Sequence, residues 1–417
     1  MNQKIRKLLR TLGPGILFAS TCIGVSHLVQ STRAGADYGF AMLWAVILAN
    51  VFKYPFFEFA SRYTSATGIS ILDGYRKKGK WILIIYLMIT IISMFIVTAA
   101  VTFITAGLLG NLLGLEGENV TANMAALVLG VCVLILAIGR YSTLDNLLKL
   151  VATVLVVSTF TAFFSALFFD RPPIAPDFVP KDEWSSTGIT FLIALMGWMP
   201  TAVDVSTWTS LWAEAKIKQS GYRPTLKEAS FDFNLGYWAS AVMAILFLSL
   251  GAFVIYGRGN GLPNSSPAFA NELIRIFTST IGDWSYFVIA VAAFSTMFST
   301  TITVIDGYGR AMTRSVKLLM DQSGEDSRKS YLLWTVLMAL GGFIVVSQFL
   351  NNLKQLVDLA TILSFVVAPL AGYLNYNVIF SKEVGDQFRP PKWLKVLAIA
   401  GLVFLSIFTI IYFYTLL

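Results

Sequence analysis

Two polar side chains stand in segments of this chain that are otherwise apolar, and both have the chemistry to bind a cation. His27, the only histidine, follows a glycine and a serine in the stretch GPGILFASTCIGVSHLVQ. Asp204 lies in the stretch FLIALMGWMPTAVDVSTWTSLW. A neutral imidazole offers a nitrogen ligand, and a carboxylate offers oxygen ligands. Because an unpaired carboxylate is costly within a bilayer, an intramembrane aspartate is by default a functional hypothesis.

The segments around these residues have the composition of membrane-spanning helices. Hydrophobic residues make up 56% of the 417 residues and charged residues only 13%, against roughly 25% charged in soluble domains. Apolar runs of about twenty residues, the length that crosses a bilayer core, recur along the chain. The sequence therefore predicts an all-α integral membrane protein. We predict eleven spans, at about residues 13–35, 39–61, 81–110, 122–139, 146–169, 187–212, 233–256, 284–309, 331–349, 356–380 and 394–416.

The basic residues predict the orientation of these spans. If the N-terminus is cytoplasmic, 24 of the 31 lysines and arginines fall in cytoplasmic segments and six in external ones, and Lys53 lies within a span. Such a bias is typical of inner loops. We therefore predict a multi-pass protein of the plasma (inner) membrane, with a cytoplasmic N-terminus and an external C-terminus. The net charge of +8 then reflects topology, and the expected partners are membrane lipid and a transported ion or solute, with no nucleic acid and no second copy of the chain.

Two predicted spans contain residues that interrupt a helix. Span one carries glycine, serine and histidine at Gly24–His27, and span six carries Gly197–Pro200, where the proline removes a backbone donor. Interrupted spans at matching positions of two halves indicate a transporter's substrate site, since unwound backbone at that depth lines a cavity or is buried in protein. A simpler interpretation of span one is that Gly24 and Ser26 allow close helix packing.

Further motifs carry a family resemblance. The chain has an opening GPG and a later AGA followed by an aromatic-Gly-aromatic step in span one, MGWMP in span six, FSTMFSTTITVIDGYG in span eight and ILSFVVAPLAGYL in span ten. In these stretches it resembles the Nramp family of metal-ion transporters, which has a LeuT-type fold. The resemblance implies a secondary active transporter of divalent metal ions that works by alternating access, with eleven helices, of which helices 1 and 6 are broken.

The resemblance and the paired interruptions together predict the domain organisation. Residues 1–417 are expected to form a single transmembrane domain built on an inverted 5+5 repeat. Residues 1–169 would form the first repeat with helices 1–5, residues 187–380 the second with helices 6–10, and residues 394–416 helix 11.

The chain departs from the family at the metal site. The family's metal-binding motif DPGN falls on Gly24–His27, so the aspartate is absent and a histidine replaces the asparagine. In helix six, the family's carbonyl ligand and methionine ligand fall on Met196 and Met199, whereas its Pro-His falls on Pro200 and Thr201. The family's acidic residues of helix three, which are linked to proton transfer, fall on Ala99 and Thr102. Transport of manganese or iron is therefore not implied by the motifs alone.

A rebuilt site is the leading hypothesis. Asp204 would replace the lost aspartate, with His27 and Met199 as further metal ligands and backbone oxygens at Gly24 and Met196. A mixed nitrogen, sulfur and oxygen set suits a transition metal better than magnesium. The predicted substrate-binding residues are Gly24, Ser26, His27, Met196, Met199, Thr201 and Asp204. Simpler roles remain open: Asp204 as a helix cap, His27 as a partner of a carbonyl, and Met199 as a gap-filling side chain.

Span eight supports an alternative. Its hydroxyls would suit a sodium site of the kind found in sodium-coupled relatives with a LeuT-type fold, although such hydroxyls also bond back to their own helix. The residues concerned are Ser295, Thr296, Ser299, Thr300 and Thr301. Trp198 and Trp208 near the second interruption would suit an organic amine through cation–π contacts. A transporter of a small organic solute, an amine or an amino acid coupled to sodium, is thus the second hypothesis.

Other functions have less support in the sequence. A sensor or receptor that kept the fold is a third hypothesis, but no extra domain supports it. An enzyme is not expected, because no nucleophile–base set or cofactor motif is found. We expect no cofactor, only a transported divalent metal ion or a coupling sodium ion or proton. Near the span ends, Arg33 is at helical spacing to pair with Asp37, and Asp306 to pair with Arg310.

Overall fold

The structure is a computed structural model that describes residues 13–115, 117, 119–139, 141–168, 174–258, 261–322, 324–350 and 352–417, and for residues 141–152 only the backbone. Within these ranges every regular element is a helix. In chain order the helices are α1 (Pro14–Cys22), α2 (Thr32–Tyr38), α3 (Leu43–Thr67), α4 (Ile71–Lys78), α5 (Lys80–Leu112), α6 (Val120–Ile138), α7 (Tyr141–Phe168), α8 (Ser186–Gly197), α9 (Ser206–Ser220), α10 (Leu226–Val254), α11 (Ser266–Ile281), α12 (Tyr286–Leu319), α13 (Arg328–Gln348), α14 (Leu353–Ile379) and α15 (Lys392–Thr415).

Most of these helices have the dimensions of membrane spans. Among the described residues, eight are long and apolar enough to cross a bilayer, namely α3, α5, α6, α10, α12, α13, α14 and α15. Two shorter apolar stretches, Thr153–Phe168 in α7 and Ser186–Gly197, are also present. The prediction of an all-α membrane protein is therefore confirmed.

Exposed apolar side chains identify the outer helices of the bundle. On α15, Val396 and Ile410 are 66% and 67% exposed, and Leu134 on α6 and Leu340 on α13 are exposed to a similar degree. Side chains of this kind are stable only against lipid or another apolar surface. In contrast, α3, α10 and α12 are largely buried and form the interior of the bundle. The site described below lies among these inner helices.

The helix ends on the polar side follow from local sequence. α10 begins with a capping box, in which the Thr225 hydroxyl accepts from the Glu228 amide and the Glu228 carboxylate accepts from the Thr225 amide. α3 and α9 end at Gly68 and Gly221, which adopt the left-handed conformation that glycine allows at a helix C-terminus. These ends fix the lengths of the helices that carry the site.

Glycines bring α2 into backbone contact with α10. A Cβ atom added to Gly35 would lie 1.9 Å from the carbonyl oxygen of Leu248, and one added to Gly251 would lie 2.2 Å from the carbonyl oxygen of Thr32. Small residues of this kind let membrane helices approach closely. The α2–α10 contact therefore leaves no space for a side chain at either glycine.

This contact gives a stability prediction. Gly35→Ala should lower the free energy of unfolding by about 1–3 kcal/mol, because the added methyl group overlaps a backbone carbonyl that cannot move freely. Gly130→Ala is the matched control: it lies within α6, and an added Cβ meets no atom within 4 Å. The control should be neutral or stabilising by about 0.5–1 kcal/mol, since alanine favours a helix. Thermal unfolding followed by tryptophan fluorescence measures both, and equal midpoints for the two variants would contradict the packing argument.

Candidate functional site

The first interruption lies between α1 and α2. α1 ends at Cys22, Ile23 and Gly24 leave helical geometry, and wider π-helical turns run over Ser26–Ser31 before α2 begins. A Cβ atom at Gly24 would lie 2.7 Å from the Thr300 hydroxyl of α12. Gly24 is therefore also a close-packing residue. Segments of π-helix occur frequently at functional sites.

The second interruption lies between α8 and α9. α8 ends at Gly197, and the chain is not helical again until a short 3₁₀ turn over Val203–Val205, which leads into α9. Pro200 lies inside this segment and has no backbone donor to offer. The end of α8 rests against α14, where a Cβ atom at Gly197 would lie 2.0 Å from the Thr361 carbonyl oxygen. Carbonyl groups at the end of α8 thus have fewer donors than a continuous helix would supply, although the Met196 oxygen still accepts from the Met199 amide at 3.3 Å.

A buried lysine supplies those donors. The Lys53 ammonium of α3 donates to the carbonyl oxygens of Met196, Gly197 and Thr201 at 2.6, 2.8 and 3.3 Å. We call these three oxygens the carbonyl cluster. Lys53 has no exposed surface. Two backbone positions that the sequence analysis assigned to substrate, Met196 and Thr201, therefore contact an internal cation.

Asp204 adds a negative charge from the same segment. It is 3% exposed, and its charge acts on Lys53. Three tyrosines are also within its electrostatic reach, namely Tyr75, Tyr86 and Tyr308. α9 begins without a side-chain cap. The structure therefore gives Asp204 no capping role at α9 and places it beside an oxygen-rich site.

His27 faces away from this site. Its Nε2 lies 2.8 Å from the carbonyl oxygen of Ser240 on α10, and its Nδ1 lies 2.7 Å from the Ser26 hydroxyl. Because a carbonyl oxygen can only accept, Nε2 carries the proton. Ser26 also contacts the Pro200 carbonyl oxygen at 3.3 Å and so links the two interruptions. Both ring nitrogens of His27 are engaged with protein atoms.

The remaining predicted ligands also have protein partners. The Met199 sulfur accepts from the Ser31 hydroxyl at 3.7 Å. The Gly24 carbonyl oxygen accepts from the amides of His27 and Leu28 at 3.1 and 2.9 Å. In the described part of the chain, no group of three His, Cys, Asp or Glu side chains is arranged to hold a metal ion. The structure thus brings Asp204 and the carbonyl cluster together. The His27 ring and the Gly24 carbonyl oxygen instead form hydrogen bonds with other protein atoms.

The hydroxyls of α12 are mostly bonded within the protein. Thr300 donates to the Ser20 carbonyl oxygen at 2.9 Å, and Thr301 donates to the Met297 carbonyl oxygen of its own helix. Among the residues described, the buried Thr296 hydroxyl has no hydrogen-bond partner. Ser299 and Thr296 border an apolar cavity of about 350 Å³ between α1, α7, α10 and α12. Two of the five residues predicted for sodium therefore border this cavity, whereas Ser295, Thr300 and Thr301 are not part of its lining.

A second cavity adjoins both interruptions, and its size shows that the site is closed. It measures about 20 Å³, room for about one water molecule. The lining is largely aromatic and aliphatic, with Val25, Val97, Trp198, Trp208 and Tyr308 among its residues. No larger cargo fits in this conformation.

An ion-pair network closes the side predicted to be external. Arg33 on α2 donates to both carboxylate oxygens of Asp358 on α14 at 2.7 and 3.1 Å. Gln30 donates to the same carboxylate at 3.0 Å, and the Phe191 ring lies 4.8 Å from the guanidinium. The expected Arg33–Asp37 pair is not formed, because Asp37 pairs with Lys181.

A second network closes the side predicted to be cytoplasmic. Arg314 at the end of α12 pairs with Asp73 on α4 at 2.5 Å and with Asp326 at 3.2 Å. Arg76 on α4 donates to Asp321, and this hydrogen bond lowers the pKa of the Asp321 carboxyl, so it stays charged. α4 is thereby held against the end of α12.

One predicted pair in this region is present. Arg310 donates to Asp306 at 2.8 Å. Asp306 also accepts from Trp212 of α9 at 2.9 Å and from Tyr331 of α13 at 2.7 Å. This carboxylate joins three helices and has its full set of partners away from the carbonyl cluster.

Known proteins resemble this chain along nearly its whole length. The family model described as Nramp, natural resistance-associated macrophage protein-like, matches residues 15–415. The uncharacterized protein PM0681 of Pasteurella multocida is 37% identical over 404 residues, which cover 96% of this chain and 91% of the relative. The divalent metal cation transporter MntH of Listeria welshimeri is 23% identical over 444 residues, covering 98% and 91%.

Solved structures show the same fold. The Eremococcus coleocola manganese transporter is 14% identical with a TM-score of 0.71, covering 99% of this chain and 87% of that structure. MhsT in complex with L-phenylalanine is 13% identical with a TM-score of 0.65, covering 96% and 98%. At these identities the likeness establishes the fold alone, an all-helical transporter fold of the LeuT type, as predicted. The match of the family model along the chain establishes more: the chain belongs to the Nramp family and is a membrane transporter.

Proposed function

We propose that this protein is a secondary active transporter that moves a divalent metal cation across the plasma membrane by alternating access. The observation that carries the proposal is the carbonyl cluster beside Asp204. Three carbonyl oxygens converge on one cationic nitrogen there, so this interruption of the helix can hold a positive charge within the bilayer. The MntH relative is named a divalent metal cation transporter, which supports the same choice of cargo.

The architecture that we propose has eleven spans. Eight are the long apolar helices, α7 is a ninth, and the pairs α1–α2 and α8–α9 each form one discontinuous span. Residues 1–169 and 187–380 form inverted repeats, and residues 394–416 form helix 11. The N-terminus is cytoplasmic, the C-terminus is external, and the protein is a monomer surrounded by lipid.

The cargo site that we propose is centred on Asp204. The carboxylate and the carbonyl cluster supply hard oxygen ligands, and the Met199 sulfur adds a soft ligand that favours a transition metal over magnesium. His27 joins the ligand set only in a conformation in which its bond to Ser240 opens. Because both ion-pair networks are closed and the cavity has room for about one water, we assign this conformation to an occluded stage of the cycle.

A second candidate function is the transport of a small organic amine or amino acid coupled to sodium. One observation favours it: the cavity at the interruptions is lined by Trp198, Trp208 and Tyr308, which suit a cation–π contact. The unpartnered hydroxyl of Thr296 would then belong to the sodium site. This function needs a larger cavity than the occluded form provides.

A binding experiment separates the two functions. Mn²⁺ at a hundredfold excess over its Kd should stabilise the purified protein by about 2.7 kcal/mol, seen as a higher melting temperature. Asp204→Asn should remove this shift, because it removes the charged ligand of the site, and His27→Ala should leave most of it. Asp306→Asn is the matched control, a part-buried carboxyl away from the carbonyl cluster, and it should retain the shift. A shift with an amine or amino acid plus sodium, and none with Mn²⁺, would favour the second candidate.

A labelling experiment tests alternating access. Asp358→Asn should weaken the network on the external side, since Arg33 loses its charged partner. A cysteine placed at the fully buried Ser31 should then react with a membrane-impermeant thiol reagent about tenfold faster than the same cysteine in a protein that keeps Asp358.

Two features control this experiment. The native Cys22 and Cys132 are both buried and give a low background. Glu272→Gln removes an ion pair on the surface of α11 and should not change the labelling of the Ser31→Cys site. Equal labelling rates with and without Asp358→Asn would mean that the Arg33–Asp358 pair does not hold the external side closed.

A further inference from the structure

A cavity beside α1 has no part in the proposed transport of a metal ion. It is the apolar cavity of about 350 Å³ between α1, α7, α10 and α12, which we call the lateral cavity. We propose that it binds an uncharged lipophilic molecule of the bilayer that carries one hydrogen-bonding group, of the class of a long-chain alcohol. Binding itself does not depend on the proposed function, and only its effect on transport rests on that function.

The walls of the lateral cavity are mainly apolar. α1 presents Ile16, Ala19, Ser20 and Ile23 to it, at the spacing of one helix face. Among the described residues that line the cavity, none is charged. At about 30 Å³ for a group of the size of water, a chain of about ten carbon atoms with one oxygen fits. The walls therefore favour an uncharged ligand that consists mainly of hydrocarbon.

One wall carries a polar group that lacks a partner. Thr296 on α12 is 2% exposed, and among the described residues its hydroxyl has no hydrogen-bond partner. Ser299 lies one helical turn further along α12 and borders the same cavity. A buried hydroxyl without a partner is unfavourable, and a ligand that offers a hydrogen bond removes this cost. The ligand is therefore expected to place its oxygen at Thr296.

The lateral cavity adjoins the surface of the protein that faces lipid. Leu235 on α10 lines the cavity and is 51% exposed. Phe231, Trp238 and Val242 lie on the same face of α10 and are exposed as well. Exposed apolar side chains on a membrane-spanning helix are in contact with hydrocarbon. A ligand that dissolves in the bilayer therefore reaches the cavity from the side, without passing through water.

Two contacts hold α1 in place as a wall of the cavity. At its first turn, the Asp232 carboxylate of α10 accepts from the amides of Gly13 and Gly15 at 3.1 and 2.7 Å, and negative charge at a helix N-terminus is stabilising. Near its last turn, the Ser20 carbonyl oxygen accepts from the Thr300 hydroxyl of α12 at 2.9 Å. These contacts fix the position of α1 in which the cavity exists.

Occupation of the lateral cavity should favour this conformation of the protein. A ligand shifts a conformational equilibrium only by its difference in affinity between the states. Because α1 supplies one wall, a conformation in which α1 moves away from α10 or α12 offers the ligand fewer contacts. Under the proposed function, the ligand therefore slows the transport cycle and acts as an inhibitor that enters from the lipid phase.

Photolabelling of the full-length chain in phosphatidylcholine nanodiscs tests the site. The probe is n-decanol with a diazirine group on its chain, and mass spectrometry identifies the labelled peptides. Label is expected on the cavity face of α1 and on α12 near Thr296. Excess unlabelled n-decanol should suppress this label about tenfold, and decane, which lacks the oxygen, should compete about tenfold less well. Decanoate should also compete less well, since no described lining residue is charged.

Two variants separate the hydrogen bond from the apolar volume. Thr296→Val keeps the shape of the side chain and removes the hydroxyl, so labelling by the alcohol probe should fall about tenfold. Labelling by a decane probe with the same diazirine should not change. Ala239→Phe, on the wall formed by α10, fills the cavity and should reduce labelling by both probes about tenfold.

Thr313→Val is the matched control for the hydroxyl. Thr313 lies on the same helix, is also 2% exposed and, in the described part of the chain, likewise has a hydroxyl without a partner. It does not border the lateral cavity. Both probes should therefore label Thr313→Val as they label the wild type.

Three results would contradict the site. Label spread evenly over the lipid-facing helices, or not suppressed by unlabelled n-decanol, would mean ordinary contact with lipid. Equal labelling of Thr296→Val and the wild type by the alcohol probe would overturn the role of Thr296. A melting temperature that rises with sodium chloride but not with potassium chloride, in the wild type and not in Thr296→Val, without specific label, would assign this hydroxyl to a sodium site.

Uptake of Mn²⁺ into proteoliposomes separates this inference from the proposed function. At about ten times its Kd, n-decanol should slow uptake by the wild type up to about tenfold and should not slow uptake by Ala239→Phe. If the cavity is labelled as expected and Mn²⁺ is not transported, the site stands and metal transport is wrong. If Mn²⁺ is transported and the label is not specific, metal transport stands and the site is wrong. Equal slowing in both proteins would reveal an effect on the bilayer and would refute the inhibition.

Discussion

Every backbone carbonyl in a bilayer needs a donor from within the protein, and this requirement governs the centre of the molecule. The segment between α8 and α9 leaves helical geometry at a depth where water is scarce. Its carbonyl oxygens find their donors on another helix, in the ammonium of Lys53. The open segment and the buried lysine therefore depend on each other. Without the ammonium each of these oxygens would lose a donor, and without the oxygens the ammonium would have no partner in an apolar interior.

The surrounding helices hold this arrangement by contacts that allow little movement. Glycines press α2 against α10 and the end of α8 against α14, so that backbone meets backbone. At the two ends of the bundle, Arg33–Asp358 and Arg314–Asp73 join helices that are distant in sequence. Ion pairs can open and reform, whereas close-packed backbone moves as a unit. Rigid contacts in the middle of the bundle and ion pairs at both ends therefore suit a transporter that rocks about a fixed site.

Local features of this chain can be predicted well from its sequence, and contacts between distant residues can be predicted only poorly. Span lengths, the glycine and proline at Gly197–Pro200, and the unusual Asp204 all follow from composition and spacing. The role of Lys53 could not be read in this way, because its partners lie more than 140 positions away and a lone lysine in a span has no pattern. The sequence also did not show that the His27 side chain points towards α10. Which helix face a residue presents depends on how the chain leaves α1, and that is set by tertiary packing against α10.

The charges of the side chains at the site limit how strongly it can attract a cation. The site itself holds one positive and one negative side chain, Lys53 and Asp204, so its net charge is close to zero. A divalent ion added to a charged lysine would bring the net charge to two, in a region where interactions between charges are little screened. A family member whose helix-one aspartate is replaced by glycine has less negative charge to offer a metal. The balance between Lys53 and Asp204 therefore decides how strongly the carbonyl cluster attracts a further cation.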